Sequence, residues 1–217
     1  MTTLRIDMVS DVVCPWCWLG KKRLDAALEA RPTIAADVFF APYQLDPTVP
    51  PEGVDYRAYM RAKFGDRTDN RFAQMRRHLE EAGPREGADF RFDQITIRPN
   101  TINAHRLIRW AQGQNKGEAA KEALFRAYFH DGRDIGAADE LAAIAANIGL
   151  DADLVRKLLA GDADRSAVQT EAAHFATQGV SGVPTFVFQR KYAVTGAQET
   201  DVLVQAIDQI LALEAQN

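Results

Sequence analysis

The sequence predicts an α/β fold in which a βαβ unit and a ββα unit flank a large all-helical insertion. Three observations predict it. Apolar residues recur at every second position near both ends of the chain, as half-buried strands require. The central stretch instead carries 3.6-residue spacing with helix start and stop signals. Two cysteines, Cys14 and Cys17, fall at the first point where strand spacing gives way to helical spacing.

The elements follow in order. Leu4, Ile6 and Met8 alternate with Arg5, Asp7 and Val9, giving a strand that runs into Val12 and Val13. Helical spacing takes over at residues 18–31, with Leu19, Leu24, Ala27 and Leu28 on one side. Residues 37–41, stopped by Pro42, form a second strand rich in aromatic residues. Pro47, Pro50 and Pro51 then interrupt regular structure. Helices are expected over 56–63, 70–81, 102–112, 118–129, 139–148, 153–159 and 166–178. Asn100 or Thr101 can cap the third, Gly149 closes the fifth, and Asp151 can cap the sixth. The stretch 90–98 reads only as extended chain or loop. After Gly179, strands over 185–188 and 192–195 flank Gln189-Arg190-Lys191 as a hairpin, and residues 202–213 form a final amphipathic helix. Phe39, Phe40, Phe186 and Phe188 are expected in the core.

Composition narrows the function. The chain has 217 residues, 47% hydrophobic and 26% charged, long enough to bury a core without covalent staples. Its net charge of −4 speaks against bulk attraction to nucleic acid or an anionic membrane. No apolar run approaches the ~20 residues that span a bilayer. Residues 1–13 lack a cationic stretch followed by an apolar one, so no secretory leader is expected and the chain is assigned to the cytoplasm. A structural disulfide would not persist there, which leaves a metal, redox or catalytic use for the two cysteines.

Metal binding is a poor fit. Cys14 and Cys17 are two ligands, and His78, His105, His130 and His174 are not paired at zinc-ligand spacing. Inert buried cysteines remain an alternative, but a redox dithiol suits the position better. Unpaired N–H groups and the helix dipole at a helix start favour negative charge on the sulfur of Cys14. Cys17, one helical turn on, can attack a mixed disulfide formed at Cys14. Pro15 suits a first helical position, because its missing N–H would have had no partner. Trp16 is expected at the surface beside the thiol as an apolar contact for substrate, and Cys17 is expected to be more buried.

Residues 179–186 (Gly-Val-Ser-Gly-Val-Pro-Thr-Phe) supply a second piece. Pro184 just before a strand is expected to be trans on base rates alone, since cis X–Pro bonds make up about 5–6% in folded proteins. A cis bond facing the cysteines would instead turn the Val183 backbone towards Cys14, where it could pair with an extended substrate.

The order strand–helix–strand, then hairpin–helix, resembles the thioredoxin fold with a helical block inserted. Residues 11–20 (Asp-Val-Val-Cys-Pro-Trp-Cys-Trp-Leu-Gly) resemble the active-site segment of DsbA-like thiol oxidoreductases, in particular the cytoplasmic FrnE-like branch. Residues 100–106 (Asn-Thr-Ile-Asn-Ala-His-Arg), 128–136 (Tyr-Phe-His-Asp-Gly-Arg-Asp-Ile-Gly) and 179–186 resemble further segments of that branch, in the same order. The resemblance implies a thioredoxin-like domain of residues 1–45 and 179–217 and an inserted helical domain of residues 46–178. It also implies an attacking Cys14, a resolving Cys17 and a cis Pro184, with Pro15, Trp16 and Val183 at the substrate. The implied activity is thiol–disulfide exchange on client proteins or small-molecule thiols, with no metal, no organic cofactor, and glutathione as a possible co-substrate. Neither a nucleic acid nor a membrane partner is implied, and the chain is expected to be a monomer or homodimer.

The same superfamily holds 2-hydroxychromene-2-carboxylate isomerases and kappa-type glutathione transferases, so a glutathione-dependent isomerase or transferase is the alternative. Those enzymes usually carry serine at the first active-site position, whereas this chain has Cys14. Secondary candidates are Asn100, Thr101 and His105, read as helix cap and packed imidazole or as lining of a substrate groove. Asp11 is read as a local backbone acceptor rather than a proton-transfer group. The cations Arg57, Arg61, Lys63, Arg67, Arg71, Arg76 and Arg77, interspersed with Asp55, Asp66 and Asp69, read as a solvated helix face, or else as a surface for an acidic client or glutathione.

Overall fold

A computed structural model describes residues 3–65 and 71–216 of the chain. Its central sheet has the strand order β2 (Ala36–Pro42), β1 (Leu4–Ser10), β5 (Thr185–Phe188), β6 (Tyr192–Thr195). β1 and β2 are parallel and are joined by α1 (Pro15–Glu29); β1–β5 and β5–β6 are antiparallel. A final helix, α9 (Thr200–Glu214), packs on α1. The predicted α/β class and both terminal units are therefore present.

Between β2 and β5 lie α2 (Tyr56–Phe64), α3 (Arg71–Ala82), α4 (Ile102–Gln112), α5 (Gly117–Phe129), α6 (Ala138–Asn147), α7 (Ala152–Ala160) and α8 (Arg165–Thr177). The expected helix starting at 70 is described from Arg71 onward; Asn70 lies outside the described residues, as do Asp66, Arg67, Asp69 and the side chain of Arg71. Stretch 90–98 resolves into a 3-10 turn, Phe92–Gln94, and a two-residue strand β4 (Ile97–Arg98) paired with β3 (Val54–Asp55). So short a ladder leaves no readable period in the sequence.

Asp151 accepts from Leu154 N at 2.9 Å and caps α7 as expected. Asp55, which the sequence offered only as a surface anion, accepts from Ala58 N at 2.7 Å and caps α2. Thr101 occupies the N-cap of α4, but the bond comes from Asn100, whose Oδ1 accepts from Ile102 N at 3.1 Å. Gly149, at φ +76°, lets the chain leave α6 in the left-handed region that glycine tolerates.

Two expectations need correction. β1 stops at Ser10 rather than running into Val13, because residues 11–14 fold into a turn closed by Cys14 N to Asp11 O at 3.1 Å. Phe40, Phe186 and Phe188 are core, but Phe39 is half-buried on the other face of β2, under the Arg5 guanidinium at 5.5 Å.

α4, α5 and α8 pack against β2, and α5 also meets α1. Trp18 anchors that junction: its ring stacks on Phe125 and Phe129, meets Phe90 edge-on, and its Nε1 donates to Glu122 at 3.3 Å. Burying an aromatic side chain of this size contributes several kcal/mol.

Candidate active site

The antiparallel register pairs Val9 with Thr185, so the chain leaving β1 runs beside the residue that begins β5. Cys14 and Pro184 are thereby brought to one end of the sheet, 170 positions apart in sequence. The Val183–Pro184 bond is cis, as the resemblance implied and against the base-rate expectation. The Cys14 thiol lies 3.6 Å from the Val183 carbonyl oxygen, which can accept its S–H. Gly20 permits the close packing: a Cβ there would stand 2.8 Å from Pro184 Cγ and 3.3 Å from Phe186 Cζ. α1 can lie flush against the start of β5 only with glycine at that position.

Cys14 is the N-cap of α1 and Pro15 the first helical residue. Cys17 N donates to Cys14 O at 3.0 Å, which puts the second thiol on the first helical turn. Both cysteines are free thiols. Cys17 is fully buried, and burial, reinforced by the neighbouring Cys14 sulfur, pushes its thiol well above the ordinary cysteine pKa. Cys14 is itself only 4% exposed, so its sulfur does not stand on the outer surface. It opens instead onto a cavity of about 580 Å³, within the usual range for ligand sites. Trp16 is half-buried rather than at the surface, its ring 5.9 Å from that of His78, and it lines the cavity with Pro15 and Val183. The opposite wall comes from the inserted helices and β4, notably Tyr56, Tyr59, Met60, Phe129, Tyr128 and Arg98.

A second layer holds the cysteine loop. Asp11 is 1% exposed and accepts from Leu45 N at 2.8 Å, a backbone partner but not a local one. His105 Nε2 lies 3.3 Å from Asp11 Oδ1 and 3.1 Å from Tyr43 O. Both neighbours only accept, so Nε2 carries the ring proton and donates. Burial pushes the His105 pKa down despite Asp11, leaving a neutral imidazole. For Asp11 burial acts upward, but the bond from His105, the charge of Arg98 and the Leu45 N–H outweigh it and hold the carboxyl below its ordinary value. His105 is thus a packed imidazole behind the site, not a lining of the cavity. Arg98 Nη1 donates to Val13 O at 3.2 Å and fixes the loop from the other side.

The rest of the 100–106 segment is structural. Asn100 Nδ2 donates to Val49 O at 2.6 Å. Arg106 donates to Leu158 O at 2.6 Å, Gly161 O at 2.7 Å and Ala163 O at 2.7 Å, closing the carbonyl end of α7. Arg57, Arg61 and Lys63 are exposed along α2, as a solvated face would be, although Lys63 also reaches the cavity rim.

Sequence reasoning missed Arg98, whose two-residue strand gave no signal. It also missed Lys121, fully buried on α5 among Ala120, Leu124 and Phe125. A cation at helical spacing inside an apolar stripe was the signal that could have found it.

A model of the DSBA-like thioredoxin domain matches residues 5–208 of the chain. The protein belongs to that family. A probable DsbA oxidoreductase from Streptomyces coelicolor superposes with a TM-score of 0.88 at 31% identity, covering 96% of this chain and 90% of that one. A 2-hydroxychromene-2-carboxylate isomerase gives 0.72 at 14% identity, covering 98% of each chain. The cytosolic disulfide reductase DsbM from Pseudomonas aeruginosa, solved with GSH, gives 0.62 at 20% identity, again over 98% of each. The last two likenesses speak to the fold. Oxidoreductase chemistry on a DsbA-like thioredoxin scaffold is the common ground of the family.

Proposed function

We propose that this member of the DSBA-like family is a thiol–disulfide oxidoreductase in which Cys14 attacks and Cys17 resolves. The observation that carries the reading is the asymmetry of the pair. Cys14 faces a substrate-sized cavity beside the Val183 carbonyl, while Cys17 is sealed one turn behind it with a raised pKa. In the oxidising direction a client thiolate attacks Cys14 Sγ of the Cys14–Cys17 disulfide, and Cys17 leaves with the bonding electron pair. A second client thiolate then attacks the client sulfur of the mixed disulfide, and Cys14 leaves; two electrons and two protons pass from client to enzyme. In the reducing direction Cys14 attacks and Cys17 displaces the client sulfur.

Thiol- or disulfide-bearing proteins and glutathione are the proposed substrates, acting in a reducing compartment such as the cytoplasm. Pro15, Trp16, Val183 and Pro184 would form the substrate contact. The largely apolar cavity, together with the fold likeness to the isomerase, favours a second reading: glutathione-dependent isomerisation of a small apolar substrate, which would not need Cys17.

Reduction of a model disulfide and reoxidation of a reduced client separate the two. Cys14→Ser is expected to abolish both activities and Cys17→Ser to halt turnover at the mixed-disulfide stage. Equal residual exchange activity in both variants would remove the first reading. Glutathione-dependent isomerase turnover undiminished in Cys17→Ser would support the second.

A further inference from the structure

Two polar side chains on the cavity wall are left incomplete by the fold. Arg98, at the end of β4, is 4% exposed and lines the cavity with Cys14. Its Nη1 donates to Val13 O at 3.2 Å and its guanidinium lies 5.2 Å from the centre of the Tyr59 ring. Its Nε, however, reaches no acceptor among the described residues. The carboxylate whose charge it feels most strongly, Asp11, is already engaged by His105 and Leu45 N. Tyr128, near the end of α5, is 1% exposed, lines the same cavity, and its hydroxyl also lacks a partner among the described residues. Burial pushes the pKa of that hydroxyl up, so it stays a proton donor. The two groups are electrostatic neighbours. Buried cations elsewhere are mostly paired, Lys21 with Asp25 at 2.8 Å and Arg23 with Glu86 at 2.6 Å. Lys121 Nζ shares the lack of a partner but does not line the cavity. Buried polar groups are nearly always hydrogen-bonded, so two incomplete donors at one cavity point to a ligand that completes them.

The surrounding backbone holds the pair in place. Arg91 N donates to Phe129 O at 2.7 Å, tying the end of α5 to the chain that leads into β4. Gly132, at φ +66°, packs on that same chain: a Cβ there would stand 2.5 Å from the Gln94 carbonyl oxygen. Residues 128–136 are thereby locked to the segment that carries Arg98. The chemistry of the ligand follows from the two donors. Both offer hydrogen and neither accepts, so they suit a group that only accepts, and the guanidinium asks for an anion; a carboxylate meets both demands. One cation balances one negative charge, whereas a doubly charged phosphate would leave charge unpaired in a dry site. Much of the remaining wall is apolar, with Met60, Met75, Phe92 and Phe129, and the Tyr59 hydroxyl is already bonded to Asp46 at 2.7 Å. Glutathione, with a carboxylate at each end, an ammonium and amide links, would leave several polar groups unpaired if it filled this cavity. An apolar body with one carboxylate would leave none.

We propose that the cavity takes small apolar thiols and disulfides bearing a single carboxylate, which Arg98 Nε and the Tyr128 hydroxyl bind after a small side-chain rotation. The reaction rests on the oxidoreductase reading; the carboxylate site does not. Arg98 is bonded to the carbonyl of the residue before Cys14, so carboxylate and reacting sulfur meet at one end of the cavity. In reduction, the Cys14 thiolate attacks one sulfur of the bound disulfide, the S–S bond breaks, and one thiol acid leaves with the electron pair. Cys17 then attacks Cys14 Sγ, the second thiol acid leaves, and the Cys14–Cys17 bond forms. Two electrons pass from enzyme to substrate, and the two cysteine protons go to the leaving thiolates or to solvent.

Stopped-flow mixing of reduced protein with the disulfide of mercaptobenzoic acid, and with that of mercaptobenzamide, tests the proposal. The two probes match in size and shape and differ in charge. The net charge of −4 works against the acid in general, so a preference for it has to arise at the site. Wild-type protein is expected to react about 10- to 100-fold faster with the acid, the ratio that one charge-assisted hydrogen bond can supply. Arg98→Met should abolish the preference and Tyr128→Phe should cut it about 5-fold. Taken as a ratio, the preference is insensitive to a general loss of reactivity when Arg98 releases Val13 O. Equal rates in wild type, or a preference unchanged in the folded variants, would overturn the proposal. Tyr128→Phe removes a hydroxyl that has no partner, so it keeps the test open should Arg98→Met fail to fold. Reaction with neither probe would instead sink the oxidoreductase reading. Calorimetry of Cys14→Ser protein with naphthoate and with naphthalenemethanol then decides the carboxylate site. Tighter binding of naphthoate, weakened when Tyr128→Phe is added, supports it, and equal affinity overturns it.

Discussion

At the scale of single residues, the two cysteines differ in surroundings rather than in chemistry. Cys14 caps a helix at the edge of a cavity, whereas Cys17 sits beneath it against buried charge. The cost of that charge is measurable. Lys121 has a pKa of about 8 in the folded protein against an ordinary 10.5, so between those values the unfolded chain holds the proton more tightly. Stability should therefore rise with pH through that window, and at pH 7 the whole penalty is in force. Lys121→Met is expected to stabilise the protein at pH 7 by about 1–3 kcal/mol, raising Tm by several degrees. Calorimetry of the two proteins at pH 7 and pH 10 checks it; an unchanged or lower Tm at both would show that the amine carries no burial penalty.

At the scale of elements, contacts across the sheet end matter most. Gly20→Ala places a methyl group 2.8 Å from Pro184 Cγ, so α1 or the start of β5 must shift. The expected result is a loss of about 1–3 kcal/mol and slower mixed-disulfide formation, since the Val183 carbonyl moves relative to Cys14. Urea denaturation and stopped-flow thiol exchange would record the two effects together. Arg106→Met removes its bonds to the carbonyls of Leu158, Gly161 and Ala163, of which Leu158 O keeps its bond from Gly161 N at 3.2 Å. It should cost about 2–4 kcal/mol, with hydrogen exchange accelerated first in α7.

Much of this layout was legible in the sequence. Helix 102–112 and strands 185–188 and 192–195 fall where the spacing put them, because each carries its own period and its own end signals. What escaped had no local signature. β3 and β4 are two residues each and exist only through their mutual pairing. Asp11 finds its partners at Leu45 and His105, which only the folded chain brings near. The cis Val183–Pro184 bond runs against the statistics of proline and came from resemblance alone. Trp16 and Cys14 are less exposed than expected because the inserted helices roof the site, and no spacing in residues 11–18 anticipates a roof.

At the scale of the whole molecule, the Asp11–His105 pair joins the cysteine loop, the chain after β2 and α4. Both groups have folded pKa values below their ordinary ones. Their contribution is complete above the unfolded pKa of His105, about 6.5, and is lost as pH falls through the folded values. Stability should decline on acidification from pH 7 to pH 4, and His105→Gln should flatten the part of that decline nearest pH 6. Chemical denaturation across this range, followed by tryptophan fluorescence, measures the slope. An identical slope in the variant would mean that the buried imidazole is not linked to folding.

The division of labour between a cavity-facing sulfur and a sealed one is tested most directly by covalent mapping. Wild-type and Cys17→Ser proteins are exposed to oxidised glutathione, quenched in acid and digested, and the modified peptides are identified by mass. The expected result is a stable glutathione adduct on Cys14 in Cys17→Ser, and in wild type a short-lived adduct at the same sulfur that gives way to the Cys14–Cys17 disulfide. An adduct that persists in wild type, or one found on Cys17, would contradict the assignment of attack to Cys14 and release to Cys17.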